Sequence, residues 1–339
     1  MIRRSCLAGI VLSYLPVLAC AALIGILAAL GGALRIVLWL AVATVVGYAY
    51  IVALSRHQRL RYRGVPVTAQ EQPALMAVVD DVLGRAGIRR LDGVWLVPGS
   101  NAHAIIGRRD WLGRRHVGIG LGLLMTAHLS TEELTAVLAH EAGHLTDRRR
   151  ARLLLGHRRR YAIAKLERRT ARPSWWYWRW FLNATREQAL DVERHADAVA
   201  AQMCGAEPAA RAQHRVCEAS VVHTLAMRRF VLPWWERRIG PATLFEPYRA
   251  VWTRTPELVR AGVDAQISTP DQPEDTHPGL AERTGGRRFP LAPELRGDLA
   301  LNGLEELDRR CAASLRQELC SYPVTTLTWA EIKSGAAAR

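Results

Sequence analysis

The amino-acid sequence predicts an α+β fold, mainly α, preceded by a two-helix transmembrane hairpin. Two long apolar runs come first, short segments with strand character follow between residues 94 and 120, and longer segments with helical spacing come after them. The 339 residues suffice for one substantial domain or two small ones. We therefore divide the chain into a membrane segment, residues 1–56, and a second domain, residues 57–339.

The membrane segment is predicted from two uncharged runs, residues 7–30 and 36–54. Each is long enough to cross a hydrocarbon core of about 30 Å as a helix. The short link of residues 31–35 predicts that the two helices run antiparallel. Arginines flank the outer ends and only Arg35 lies in the turn, so the positive-inside rule predicts a cytoplasmic second domain at a bacterial-type plasma membrane.

Two other interpretations of this segment compete with the hairpin. A signal peptide has a similar basic start, and Val17-Leu18-Ala19-Cys20 is similar to a lipoprotein cleavage site. However, the chain stays apolar after Cys20 and then forms a second run, which favours the hairpin. Two buried core helices would be shorter than these runs.

The second domain begins with a basic linker, and its predicted elements alternate in type. A helix is expected over residues 69–86, strands over 94–97, 101–106 and 116–120, and a further helix over 183–203. Another helix should begin at Ser130 and run to Leu145. Its start is predicted from a capping box, in which Ser130 caps the helix and Glu133 bonds back.

A candidate metal site lies in this capped helix. His140-Glu141-Ala142-Gly143-His144 has the H-E-x-x-H pattern, which places both histidines on one helix face. The two imidazoles could bind one zinc ion, and Glu141 could act as general base on a water whose pKa the zinc lowers to about 7. The alternative is two histidines lining a core or solvated face.

A third ligand must come from elsewhere, because catalytic zinc has three protein ligands. Glu193 and Asp197 lie on the small-residue face of the helix predicted over 183–203. Glu193 could bind the metal and Asp197 could fix a ligand imidazole. Alternatively, both acids are solvated and pair with Arg194 or Arg186, and spacing does not decide between these. His195 is a rival ligand, but it points away from that face.

Several motifs resemble, in order, the integral-membrane gluzincins that include HtpX and the CAAX prenyl endopeptidase. Asn101-Ala102-His103-Ala104 is similar to the family's edge strand, Gly118-Ile119-Gly120 to its next strand, and residues 132–144 to its H-E-x-x-H signature. Glu193-x-x-Ala196-Asp197 is similar to the family's E-x-x-A-D motif, which lies on the helix that supplies the third metal ligand. His277-Pro278, followed by Arg283, resembles a downstream H-P-x-x-x-R element.

The resemblance implies a zincin-like endopeptidase domain with a short edge-stranded sheet and one zinc ion per chain. It implies Glu193 as third ligand, and His277 and Arg283 as cleft residues that contact substrate or the developing oxyanion. A peptide substrate would lie along the edge strand at Asn101, Ala102 and Ala104. The interval 145–192 lacks the membrane spans of those relatives, so neither their enclosed chamber nor prenyl specificity is carried over.

A basic and aromatic insert occupies residues 148–181. Twelve Lys or Arg lie between Arg148 and Arg179 with the single acid Glu167, and Trp175-Trp176-Tyr177-Trp178 lies at the end of this run. This pattern favours contact with anionic inner-leaflet lipid. A substrate lid, a partner surface, or core aromatics with solvated arginines are alternatives. The net charge of +15 would also suit nucleic acid, but we find no nucleic-acid module and expect none bound.

These observations favour an active membrane endopeptidase, in membrane-protein quality control or in the processing of a specific substrate. A membrane sensor and an inactive scaffold that retains the zinc site are the alternatives. Two of the six cysteines lie in the apolar N-terminal stretch, and the four scattered over the second domain, with no C-x-x-C pair, do not predict a disulfide framework. The sequence gives no oligomeric state.

Overall fold

The computed structural model describes residues 64–89, 91–108, 115–146, 175–269, 277–292, 297–320 and 322–334. The chain divides into two units, Met1–Arg61 and Tyr62–Arg339, and every described residue lies in the second. Both predicted membrane spans, and residues 148–174 of the insert, lie outside the described residues. Within the described ranges, no helix has the length and apolar character needed to span a bilayer.

A four-stranded mixed sheet forms one part of the domain. It contains β1 (Val65–Val67), β2 (Gly93–Val97), β3 (Ala102–Arg108) and β4 (Arg115–Gly122) in the order β1-β2-β4-β3. The β1–β2 and β3–β4 pairs are antiparallel, and the β2–β4 pair is parallel. The three predicted strands are confirmed, β3 and β4 are longer than expected, and β3 lies at an edge of the sheet.

Alternating apolar residues bury one face of the sheet. Val94 and Leu96 of β2, and Ile119 and Leu121 of β4, are at most 1% exposed, as expected for strands with one covered face. They belong to one core with side chains of the helices, including Leu75, Val79, Leu134 and Leu138.

Helices build most of the domain. The first ones are α1 (Pro73–Arg85), α2 (Leu123–His128), α3 (Thr131–Thr146), α4 (Trp175–Cys204) and α5 (Ala206–Ala226). A π-helix (Met227–Val231) continues α5 into α6 (Leu232–Glu236), and then come α7 (Phe245–Arg254), α8 (Pro256–Ser268), α9 (Leu280–Thr284), α10 (Leu304–Leu319) and α11 (Trp329–Lys333). Strands β5 (Ile239–Pro241) and β6 (Thr325–Leu327) pair in parallel.

The predicted capping box at the start of α3 is confirmed. The Ser130 hydroxyl accepts a hydrogen bond from the Glu133 amide at 3.2 Å, and the Glu133 carboxylate accepts one from the Ser130 amide at 3.0 Å. Helix α4 begins at Trp175 rather than at the predicted residue 183, so the aromatic end of the insert forms its first turns.

Buried charges attach α5 to its neighbours. The Arg215 guanidinium donates to Glu218 at 2.7 Å and to the Pro290 carbonyl at 2.7 Å. Glu218 also accepts from the Ala292 amide at 3.0 Å, and the Arg215 Nε lies 3.7 Å from Glu133. These contacts fix α5 between the start of α3 and the segment around residue 290.

Candidate metal centre

The centre forms where α3 and α4 cross at very close range. Gly143 lies against Ala196, and a methyl group built on Gly143 would come within 2.8 Å of the Ala196 Cα. Ala189, Ala196 and Ala200 are all buried on this side of α4. The small residues therefore allow the backbones to approach, and Glu193, one turn before Ala196, reaches the two histidines of α3.

Three donor side chains converge at this crossing. The Nε2 of His140 lies 3.5 Å from Oε2 of Glu193, and the Nε2 of His144 lies 3.7 Å from Oε1. The two rings are nearly perpendicular, with centroids 4.8 Å apart. Each of the three residues is at most 5% exposed.

These separations fit a divalent cation. Bonds of about 2.0–2.1 Å in a tetrahedral zinc site place neighbouring donor atoms roughly 3.4 Å apart. The separations of 3.5 and 3.7 Å come close to that value. His140, His144 and Glu193 could therefore hold zinc. Among the described residues, two donor groups have all ligand atoms within 4.8 Å of one another, and they divide the predicted set. One contains His140, Glu141 and His144, and the other contains His140, Glu193 and His277; neither includes His195.

The outer nitrogen of His140 is fixed by Asp197. Oδ1 of Asp197 lies 2.8 Å from Nδ1 of His140, which leaves Nε2 to face the donor cluster. Arg283 in turn donates to both oxygens of Asp197, at 2.7 and 2.9 Å, and its Nη2 lies 3.3 Å from His140 Nδ1. Arg283 thus contacts Asp197, and Asp197 in turn contacts His140.

Glu193 and Asp197 are held ionised despite their burial. Burial disfavours their charge, but the neighbouring His277 and the hydrogen bond with His140 lower the pKa of Glu193 well below its usual range. The hydrogen bond with His140 and the Arg283 guanidinium likewise lower the pKa of Asp197. Burial lowers the pKa of His140, but its bonds to Asp197 and Glu193 outweigh this effect and raise it to about 9. A metal would therefore replace a proton on His140.

The edge strand meets Glu141 directly. The amide of Ala104 in β3 donates to Oε2 of Glu141 at 2.5 Å, and Glu141 is 6% exposed. Burial raises the pKa of Glu141. Beside it, the Asn101 side chain accepts from the Ala102 amide at 2.9 Å. Sequence reasoning placed these residues near the centre but did not foresee the Ala104–Glu141 bond, because no local pattern encodes it.

His277 and Arg283 lie at the centre, with contacts that the resemblance did not specify. Nδ1 of His277 lies 2.6 Å from Oε2 of Glu193, and the His277 side chain is 44% exposed. Arg283 is directed at Asp197. Their contacts with substrate or an oxyanion stay predictions.

The alternative prediction, that Glu193 and Asp197 are both solvated and pair with Arg194 or Arg186, is wrong. Glu193 is 1% exposed, and Asp197 pairs with Arg283. Arg194 instead donates to Glu282 of α9 at 2.7 Å, a link between α4 and α9 that the sequence did not reveal.

Comparison with known proteins gives one match. The model for Peptidase family M48 matches residues 69–167, from just before α1 to beyond the H-E-x-x-H helix. No curated protein and no solved structure matches the chain. The family match supports a metallopeptidase that acts on peptides or proteins, and it does not extend to HtpX-like or prenyl-specific membership.

Proposed function

We propose that this chain, whose residues 69–167 are similar to Peptidase family M48, is a membrane-anchored, zinc-dependent endopeptidase. The observation that carries the proposal is the convergence of His140, His144 and Glu193 beside the buried carboxylate of Glu141. A shared core or solvated face would not require both imidazole Nε2 atoms to lie 3.5 and 3.7 Å from the two oxygens of one buried carboxylate at a helix crossing. His140, His144 and Glu193 would hold one zinc ion per chain.

Glu141 is the general base of the proposed reaction. A zinc ion, when bound, would act as a Lewis acid that lowers the pKa of water and polarises the peptide carbonyl. Burial raises the pKa of Glu141, which makes its carboxylate a stronger base toward the attacking water than a solvated glutamate would be. Glu141 then delivers that proton to the leaving nitrogen, so no covalent intermediate with the protein forms.

The substrate would lie along β3. This strand pairs with β4 on one side and lies at the edge of the sheet, so an extended peptide could add to its other side. The Ala104 amide that bonds Glu141 joins this edge to the general base. Asn101, Ala102 and Ala104 would thus position the scissile bond next to Glu141.

His277 and Arg283 have different proposed roles. His277 is half-exposed beside Glu193 and is therefore available to a substrate carbonyl or developing oxyanion. Arg283 is a positioning residue, because it holds Asp197 against His140.

The membrane anchor is proposed from the apolar runs 7–30 and 36–54, with the peptidase domain in the cytoplasm and anionic lipid as a partner. Such a location would suit membrane-protein quality control or the processing of a specific substrate. The alternatives are a membrane sensor that uses the zinc domain and an inactive scaffold, and the scaffold would keep the same zinc donors but lack turnover.

Zinc content and cleavage together test the proposal. The full chain is purified in detergent, bound zinc is measured by atomic absorption, and casein cleavage is compared between the wild type and Glu141→Gln. We expect this variant to retain zinc and to lose at least roughly 10²-fold in rate. Glu257→Gln, at an exposed site on α8, is the matched control and should cleave normally.

Glu193→Ala should lower zinc content, because it removes a donor atom from the cluster. Equal cleavage by Glu141→Gln and wild type would exclude Glu141 as base. Bound zinc without cleavage by the wild type would favour the scaffold instead.

A further inference from the structure

A second basic and aromatic surface lies far along the chain from the insert. Residues 228–238 read Arg-Arg-Phe-Val-Leu-Pro-Trp-Trp-Glu-Arg-Arg and extend from the π-helix through α6. Their four arginines, Arg228, Arg229, Arg237 and Arg238, are all exposed, and Glu236 is the one acid in the segment. We call this the 228–238 surface.

Helical spacing sorts the side chains of this surface by depth. Val231 and Trp235 are at most 1% exposed and anchor the segment to the core. Arg229, Pro233 and Arg237 recur about one turn apart on the exposed side. Phe230 and Trp234, also one turn apart, are half-buried between these two sides. The surface thus has a cationic outer row beside an aromatic row at intermediate depth.

The positive charge of the surface is not neutralised within the described part of the domain. No described carboxylate forms an ion pair with any of the four arginines, and because they lie within eleven residues their charges are concentrated on one surface. Two of the four lie over rings instead. The Arg237 guanidinium is 5.8 Å from the Trp234 ring centroid, and that of Arg238 is 5.4 Å from Tyr322.

Backbone conformation adds a second observation. Arg238 has φ of 62°, and it is the one described non-glycine residue in the left-handed region. This conformation is costly for a residue with a long side chain. It occurs where the chain turns from α6 into β5, at the point that carries Arg238 to the exposed side beside Tyr322.

We propose that the 228–238 surface binds the headgroups of anionic phospholipids at a membrane surface. Guanidinium groups without carboxylate partners can donate paired hydrogen bonds to phosphate oxygens. Trp234, Phe230 and the exposed Pro233 supply apolar area at the depth where a headgroup layer meets the acyl chains. This contact is independent of peptidase turnover and would orient the domain whether or not residues 1–56 are anchored.

Lipid fits this surface better than single-stranded nucleic acid does. Binding of unpaired bases relies on aromatic faces that are open for stacking. Here one face of Trp234 is covered by Arg237, and Phe230 meets Trp329 edge-on, with an interplanar angle of 81°. A stacking base would thus have to compete with Arg237 and Trp329 for these two rings.

Hydrogen exchange of the full chain in detergent micelles tests the proposal. Dodecylmaltoside micelles are doped with phosphatidylglycerol or with neutral phosphatidylcholine, and exchange of peptides covering residues 227–240 is followed by mass spectrometry. We expect phosphatidylglycerol to slow exchange there, since binding suppresses local opening, and phosphatidylcholine to have little effect. The phosphatidylglycerol fraction that gives half-maximal protection is the measured quantity.

A four-arginine variant and a matched control separate local binding from net charge. Changing Arg228, Arg229, Arg237 and Arg238 to Gln should abolish the protection or shift its midpoint strongly, since each basic residue near an anionic surface strengthens binding by about fivefold. Changing the exposed Arg89, Arg254, Arg260 and Arg310 to Gln removes the same charge elsewhere and should leave the midpoint near that of the wild type.

Three results would overturn the proposal. Equal protection by the two lipids would remove the role of the headgroup charge. If both arginine variants lost protection equally, the effect would depend on net charge and not on the 228–238 surface. Protection of the same peptides by a single-stranded oligonucleotide, with none by phosphatidylglycerol, would identify a nucleic-acid surface instead.

Discussion

Gly143→Ala should weaken metal binding without removing a ligand. A methyl group at this position would lie 2.8 Å from the Ala196 Cα and 3.3 Å from the Val199 Cβ. Ordinary contact begins at 3.4 Å, so α3 and α4 would have to separate by about 0.6 Å at the crossing. Both neighbouring atoms belong to backbone or to a branched side chain, which cannot rotate away.

The separation acts on the donor set, because His140 and His144 lie on α3 and Glu193 on α4. Metal sites tolerate ligand displacements of about 0.2 Å, which is less than the shift that the methyl group requires. Overpacking of this kind costs about 1–3 kcal/mol. If the strain falls on the metal-bound state, the zinc affinity decreases roughly 5- to 150-fold.

Competition with a chromogenic chelator measures this affinity, and thermal melting of the metal-free protein measures the strain that remains without zinc. Gly84→Ala is the matched control: it lies in α1 with no atom within 4 Å of the added methyl. Replacing a helical glycine by alanine there should stabilise the fold by about 0.5–1 kcal/mol and leave zinc affinity unchanged. Wild-type affinity and stability in Gly143→Ala would refute the close crossing as the feature that positions Glu193.

Three further perturbations follow from other contacts. Asp197→Ala should weaken zinc binding about 10- to 100-fold, since His140 loses its outer partner, and unchanged chelator competition would contradict this. Burial raises the pKa of Asp308 from 3.8 to about 6, an effect larger than the opposing one of the Leu244 and Phe245 amides that donate to its carboxylate. About 3 kcal/mol of stability, present below pH 4, should therefore be lost as pH rises through 6, and Asp308→Asn should flatten this part of a urea-denaturation profile. Glu218→Ala leaves Arg215 buried without its 2.7 Å partner, and it should lower the free energy of unfolding in urea by about 3–5 kcal/mol. A decrease below about 1 kcal/mol would refute the importance of this pair.

Local patterns predicted the parts of the fold that depend on near neighbours. The apolar run of residues 94–97 predicted β2, and the capping box of Ser130 and Glu133 predicted the start of α3. The start of α4 at Trp175 was missed, because a run of tryptophans and arginines has no amphipathic helical period. Strand β1 was missed because three residues give too short a pattern.

The candidate site also combines residues that a local pattern predicts with residues whose positions depend on distant contacts. His140 and His144 follow from spacing within one helix, but spacing alone left Glu193 undecided between a ligand and a solvated acid. Its position depends on the contact of Gly143 with Ala196, which is a property of two helices rather than of either sequence segment. The resemblance selected Glu193, yet it could not give the contact of His277 with Glu193, since that contact requires α9 and the segment before it to pack on α4.

Contacts on two sides position helix α4 at the centre, and the two sets of contacts differ in kind. On one side, small apolar residues set how near α3 can come. On the other, polar residues from the segment 277–283 bond three positions within little more than one turn of α4: His277 with Glu193, Glu282 with Arg194, and Arg283 with Asp197. The family match ends at residue 167, before every one of these partners. The H-E-x-x-H helix therefore supplies two donors, whereas the geometry of the third depends on polar contacts made by residues 84 to 88 positions after those they bond on α4.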